Sequence, residues 1–213
     1  NKTNYEKIKI PKLILENFVE IKYLKFVRKK NNKIRLIYHG HLGAERGIED
    51  LIFAMSSVIQ KFPKIELILL GSFRTKKFEK KILKLIISLS LNKNITILNQ
   101  VSYSSVWKIL RKCSIGVIPF RKNPLTENCT PTKLFEMMAS SHQIVATRLP
   151  PIKNFVDDSI HWANPDDHSS LALAIFSSIE SLDDSSKIDK NISLIKNKYN
   201  WNIIKDNYLD LFK

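Results

Sequence analysis

The chain of 213 residues is long enough for one large domain or one and a half small ones, and its 44% apolar content suits a protein that buries a real core. A net charge of +15, from 35 Lys and Arg against 20 Asp and Glu, favours acidic partners: nucleic acid, anionic lipid headgroups or phosphorylated substrates. Two cysteines without metal-ligand spacing, Cys113 and Cys129, do not indicate a disulfide framework, which fits a reducing cytosol, and the longest apolar stretches are too short and too serine-broken to span a bilayer.

The chain opens on Asn1 rather than Met and carries no signal-peptide pattern, so the expectation is a processed chain or a fragment. Residues 1–33 are polar, basic and poorly periodic, apart from 12–18 and 23–27, and read as an edge strand or an interdomain linker. Strand-like and helical patterns alternate from residue 34 onward. Ile34–His39 precedes a helix over 47–61 with Ile48, Leu51, Ile52, Met55, Val58 and Ile59 on one face, and Ile65–Leu70 precedes a helix over 76–90. Ile95–Leu98 leads to a helix opened by Ser104 or Ser105 and running to about Arg111. Ile115–Phe120 is followed by a polar loop and a helix over 131–139; Gln143–Thr147 then leads through Pro150 and Pro151 to a short helical piece near Phe155.

Strands this rich in Ile, Leu and Val, with little polar alternation, are buried on both faces, and intervening helices imply right-handed crossovers and a parallel sheet. The predicted fold is therefore α/β, a Rossmann-like doubly wound parallel sheet over 34–180. Residues 181–213 supply closing helices of the same domain. The basic residues of 74–84 (Arg74, Lys76, Lys77, Lys80, Lys81 and Lys84 against Glu79) form the solvated face of a helix whose Phe78, Ile82, Leu85, Ile86 and Leu89 pack inward.

Two stretches carry chemistry. Gly40, Gly43 and Gly47, three of the five glycines, follow the first strand and open a helix. Such a turn lets backbone approach a ligand closely while the helix directs free N–H groups and a positive dipole end at it. The spacing is neither the dinucleotide fingerprint nor a P-loop. In the second stretch Thr130 reads as an N-cap and Pro131 as the first helical residue. The free amides of Thr132, Lys133 and Leu134 would then face the crevice at the carboxyl edge of the sheet, where open α/β sheets bind ligands. A phosphate there would meet the dipole and the charge of Lys133. Glu136, one turn further, suits the two hydroxyls of a ribose, or is simply an acid near a helix start.

From about residue 34 to its end the chain resembles the carboxyl-terminal half of a GT-B glycosyltransferase of the group-1 (family 4) type. That family reads roughly G-R-L-x-x-x-K-G at its first loop, similar to Gly40-His41-Leu42-Gly43-Ala44-Glu45-Arg46-Gly47. Its P-x-K-L-x-E-x-M-A is matched by Pro131-Thr-Lys-Leu-Phe-Glu136-Met-Met-Ala139, ahead of Ile144-Val-Ala-Thr147, and Tyr199-Asn-Trp201 resembles its tryptophan-bearing last helix.

The resemblance implies the donor-binding half of an enzyme that moves a sugar from a nucleotide diphosphate to a glycan or lipid-linked acceptor, with retention and without a metal or other cofactor. Gly40, His41 and Gly43 would admit the diphosphate, and Arg46 would replace the phosphate-binding lysine as a catalytic cation. Glu136 would hold the ribose, and either loop slack brings Glu127 into the place of the family's first glutamate of a pair or that role is lost. Implied partners are the nucleotide sugar, the acceptor, an amino-terminal GT-B half supplied in cis or in trans, and an anionic surface at the inner membrane face of a cytoplasmic protein.

The sequence departs from the family at several points. Asn128 stands eight residues before Glu136, where the family has its other glutamate, and Ala139-Ser-Ser-His-Gln143 replaces an A-x-G-x-P turn. Other readings are a catalytically degenerate binding or regulatory module of the same fold and, behind it, a basic nucleic-acid-binding protein. Against the last, no nucleic-acid motif is present and the aromatics sit in apolar patterns.

Overall fold

Six short strands build one parallel sheet: β1 (Arg35–His39), β2 (Glu66–Leu70), β3 (Ile95–Leu98), β4 (Ile115–Ile118), β5 (Gln143–Thr147) and β6 (His161–Ala163). The computed structural model describes residues 16–25 and 33–210. The spatial order is β3-β2-β1-β4-β5-β6, every neighbour parallel, which is the doubly wound arrangement expected from the alternation. β4 and β5 are buried along their whole length, as a strand covered by helices on both faces must be.

The helices are α1 (Ile48–Lys61), α2 (Lys76–Ser88), α3 (Tyr103–Leu110), α4 (Pro124–Glu127), α5 (Thr132–Ala139), α6 (Pro150–Lys153), α7 (His168–Glu180), α8 (Ser186–Asn197) and α9 (Trp201–Asp210). α1 packs on α2 and α7, and α5 packs on α8. α5 approaches the sheet closely because β4 carries Gly116, where a Cβ would come within 2.4 Å of Met137 Sδ.

Four local expectations are corrected. α3 starts at Tyr103 behind its cap residue Ser102, two or three residues before Ser104 or Ser105. Pro131, with extended backbone (φ −77°, ψ 110°), is itself the cap residue of α5, so Thr130 does not cap it; its hydroxyl lies 3.2 Å from Glu16 Oε1 instead. The polar loop after β4 contains α4, closed by a reciprocal capping box between Asn123 and Thr126 with Pro124 at the first turn. His161–Ala163 is a sixth strand, too short for its alternation to be read.

Of the amino-terminal segment, residues 1–15 and 26–32 lie outside the described residues. The described part forms no strand beyond one bridge, between Val19 and Asn200. The Trp201 amide donates to the Val19 carbonyl (3.0 Å). Phe18 sits among Phe135, Phe155 and Tyr199, with ring centroids 4.7, 6.1 and 5.3 Å away. A 3-10 turn, Ile21–Lys25, then lays Tyr23 flat on Trp107 at 4.4 Å.

The turn between α5 and β5 shows how the chain does without a glycine and a proline, the two residues that the sequence resemblance would place there. Ser141 adopts the left-handed region (φ 62°) that glycine would take without strain. Gln143 donates through Nε2 to the carbonyls of Ser181 (2.7 Å) and Asp184 (2.9 Å), a role proline could not fill. Ser141→Gly should therefore stabilise the chain by about 0.5–1 kcal/mol in urea unfolding. Gly47→Ala should do the opposite, by about 2 kcal/mol or more, because Gly47 has φ 69° and its Cβ would meet the Pro119 carbonyl oxygen at 1.7 Å.

Candidate functional site

β1 and β4 lie side by side at the reversal of the strand order, and the loops leaving their carboxyl ends bound a crevice. Two glycine turns line one wall. The Gly40 amide donates to the Leu70 carbonyl (2.8 Å), and the Leu42 amide to the Ser72 carbonyl (2.9 Å), tying the loop after β1 to the loop after β2. Gly40 (φ 116°) and Gly71 (φ 147°) touch so closely that a Cβ on Gly71 would stand 1.9 Å from the Gly40 oxygen. Tyr38 donates its hydroxyl to the His41 carbonyl (2.7 Å), fixing the turn from beneath.

The opposite wall is the start of α5. Its cap residue offers no side-chain hydrogen bond, so the Thr132 and Lys133 amides open toward the crevice without an intrahelical acceptor. The Leu134 amide does not share that role: it donates to the Pro131 carbonyl (2.9 Å), and the Leu134 side chain is fully buried. On the loop side, Asp50 at the start of α1 takes both Nε and Nη2 of Arg121 (2.6 and 2.7 Å), latching the loop after β4 to α1.

Between these walls lies a pocket of about 330 Å³. It is lined by His39 from the end of β1, Gly40 and His41 from the first loop, Gly71 from the second, Tyr103 from α3, and Thr132, Lys133 and Glu136 from α5. Of the sequence-derived candidates, Gly40, His41, Thr132, Lys133 and Glu136 thus meet in one place. Gly43 faces a neighbouring pocket with Glu45, Arg74 and Lys81. Glu127 ends α4, with Lys122 Nζ 3.9 Å away, and does not line the pocket.

Burial sets the electrostatics. Lys133, 8% exposed, holds its Nζ 4.0 Å from the Tyr38 ring centroid and 5.1 Å from that of Phe120. Loss of solvent, then repulsion from Arg46, pushes its pKa down to about 7, with Glu136 opposing. Arg46 does not line the pocket; its guanidinium stacks 4.6 Å from the same Phe120 ring, 3.5 Å from Glu45 Oε1, which also takes Arg74 at 3.0 Å. Two cations thus stand over one aromatic ring.

Burial raises the Glu136 carboxyl above the usual range, while a hydrogen bond with Tyr103 and the charge of Lys133 pull it back. His39, with Nε2 3.4 Å from Glu136 Oε2, is driven well below an ordinary histidine by burial, Lys133 and His142, and stays neutral.

His39, Gly71 and Tyr103 escaped the sequence reading. Gly71 had a signal, a glycine ending an apolar run. His39 and Tyr103 had none, since a histidine closing a strand and a tyrosine opening a helix are common without a ligand. Among the described residues no three His, Cys, Asp or Glu side chains are placed to hold a metal ion, and no helix is long and apolar enough to cross a membrane.

The sequence matches the family model described as Glycosyl transferases group 1 over residues 20–198. None of the curated proteins matches it. The fold is similar to a crystal structure of a glycosyltransferase from Rickettsia africae (TM-score 0.83, 17% identity), covering 100% of this chain and 60% of that one. It is also similar to the C-terminal domain of a glycosyl transferase group 1 family protein from Francisella tularensis (TM-score 0.72, 18% identity, 86% and 99% covered). A third likeness is to an Anabaena protein crystallised with UDP-glucose (TM-score 0.79, 15% identity, 92% and 56% covered). The chain spans about three-fifths of the Rickettsia protein and just over half of the Anabaena one.

Because the folded pKa of Lys133 lies near 7 and the unfolded one near 10.5, the unfolded chain binds the extra proton between those values. Stability contributed by this site therefore rises with pH across that window. Lys133→Met should be more stable than the parent at pH 7. The gap should narrow toward pH 10 by at most about 1.4 kcal/mol per pH unit, read from urea unfolding at each pH.

Proposed function

The chain belongs to the group 1 glycosyl transferases, and we propose that it is the half of such an enzyme that holds a nucleotide diphosphate sugar for transfer to a glycan or lipid-linked acceptor. The observation that carries this reading is the pairing of Lys133 and Arg46 over Phe120, beside a glycine-bared turn and an uncapped helix start. Two cations held at close quarters repel each other, and a diphosphate bound in the pocket against Lys133 would offset that repulsion and return Lys133 to its charged form. The Thr132 and Lys133 amides add donors on the same side. Glu136, kept in place by Tyr103, would accept from the ribose hydroxyls, and Gly40 and Gly71 keep the wall free of side chains where the ligand approaches.

In the transfer, the bond between the sugar's anomeric carbon and the diphosphate oxygen breaks as the acceptor hydroxyl oxygen bonds to that carbon and passes its proton to the departing diphosphate oxygen. Negative charge gathers on the leaving diphosphate, where Lys133, Arg46 and the α5 amides would stabilise it. These groups would meet that charge without a metal. The acceptor, and the groups that orient it, would come from an amino-terminal half in cis or in trans, with the assembled enzyme working in the cytoplasm at the inner membrane face.

Calorimetric titration with UDP, GDP, ADP and their sugar conjugates should show one nucleotide binding at micromolar to sub-millimolar strength. Glu136→Ala should weaken it about tenfold or more, through loss of hydrogen bonds to a charged acceptor. Glu127→Ala, outside the pocket, should leave the affinity unchanged. At pH 8 binding should take up a proton, seen as a heat that depends on the buffer's ionisation enthalpy and vanishes in Lys133→Met. A folded chain silent to the whole panel would overturn the reading.

A further inference from the structure

The lysines of α2 surround two aliphatic side chains that the core does not use. α2 carries five lysines and one glutamate, and it buries Ile82 and Ile86. On the opposite side Leu83 is 44% exposed and Ile87 68% exposed. At 100° per residue, Leu83, Lys76, Ile87, Lys80 and Lys84 fall within about 100° of one another around the helix axis. The aliphatic pair is i, i+4, and each member has a lysine within one turn. Lys76 pairs with Glu79 at 3.3 Å and Lys81 with Glu49 at 2.6 Å. Lys77, Lys80 and Lys84 are all exposed, and among the described residues no carboxylate lies within ion-pair distance of them. Leu173 on α7 is as exposed as Ile87 (67%), but its helix contains no lysine to frame it.

We propose that this face of α2 is a docking surface for a bilayer with anionic headgroups. Unpaired ammonium groups at the rim would attract the headgroups, and Leu83 and Ile87 would enter the boundary between headgroup and acyl chain. Charge complementarity selects this occupant: a second copy of the face would set lysine against lysine. The helix is short and its inner side is packed in the core, so the attachment is peripheral and reversible. The surface is separate from the nucleotide pocket and does not depend on how that pocket is read.

The test is co-sedimentation of the 213-residue chain with vesicles of phosphatidylcholine containing about one third phosphatidylglycerol, and with vesicles of phosphatidylcholine alone. The chain should partition onto the anionic vesicles only. Leu83→Ser with Ile87→Ser, and separately Lys80→Glu with Lys84→Glu, should each lower the partition coefficient about tenfold or more. Thermal unfolding at the parent's midpoint confirms that both variants fold, and an unchanged nucleotide titration separates this surface from the pocket. Equal binding to neutral vesicles, or anionic binding that survives the serine pair, would overturn the proposal. So would self-association of the parent in sedimentation equilibrium that the serine pair abolishes, since that assigns the face to a second copy.

Discussion

The pairing of β1 with β4 is the contact on which the site depends. Only Leu36–Ile115 and Ile37–Gly116 are in register between these strands, yet this junction separates connections that leave in opposite directions across the sheet. A crevice opens there because no crossover helix can cover it. The loops that border it are pressed together, which explains why residues 40, 71 and 47 are glycines with positive φ. The Asp50–Arg121 fork then ties the far side of the crevice to the helix that follows the first glycine turn.

Placing ionisable groups at the base of that crevice is unfavourable for folding, and the shifted pKa values record it. Lys133, Glu136 and His39 are each moved toward their neutral forms by lost solvation. A buried cation near pH 7 is poorly stabilised by its own protein and would gain from an anion supplied from outside. The same logic separates Arg46 from Lys133: Arg46 already has Glu45 beside it and an aromatic ring beneath it, so it supports the field of the site more than it opens the site.

α5 links this chemistry to the rest of the molecule. Its first turn faces the pocket, while Phe135, one residue before Glu136, joins Phe18, Phe155 and Tyr199 in an aromatic cluster. Tyr103 belongs to both worlds as well, since it shares the pocket with Glu136 and meets Tyr23 edge-on at 5.4 Å. The described amino-terminal residues therefore lean on the very elements that hold the site, from the side opposite α1 and α7.

The alternation of apolar runs and helical patterns was enough to determine a parallel doubly wound sheet and its first five strands, because largely buried strands leave a trace in their Ile, Leu and Val content. Gly40, Gly47 and the run from Pro131 to Ala139 were likewise legible, through residue types that local geometry demands. Tertiary structure alone decided which candidates share the pocket. Lys133 and Glu136 became the buried centre, Glu127 stayed outside, and the Leu134 amide was spent within its own turn. It also turned a strand-end histidine and a helix-opening tyrosine into pocket walls, and left Leu83 and Ile87 outside the core. The reason is physical: a local pattern specifies backbone conformation, whereas desolvation, charge and exposure are properties of whatever distant segments come to lie alongside.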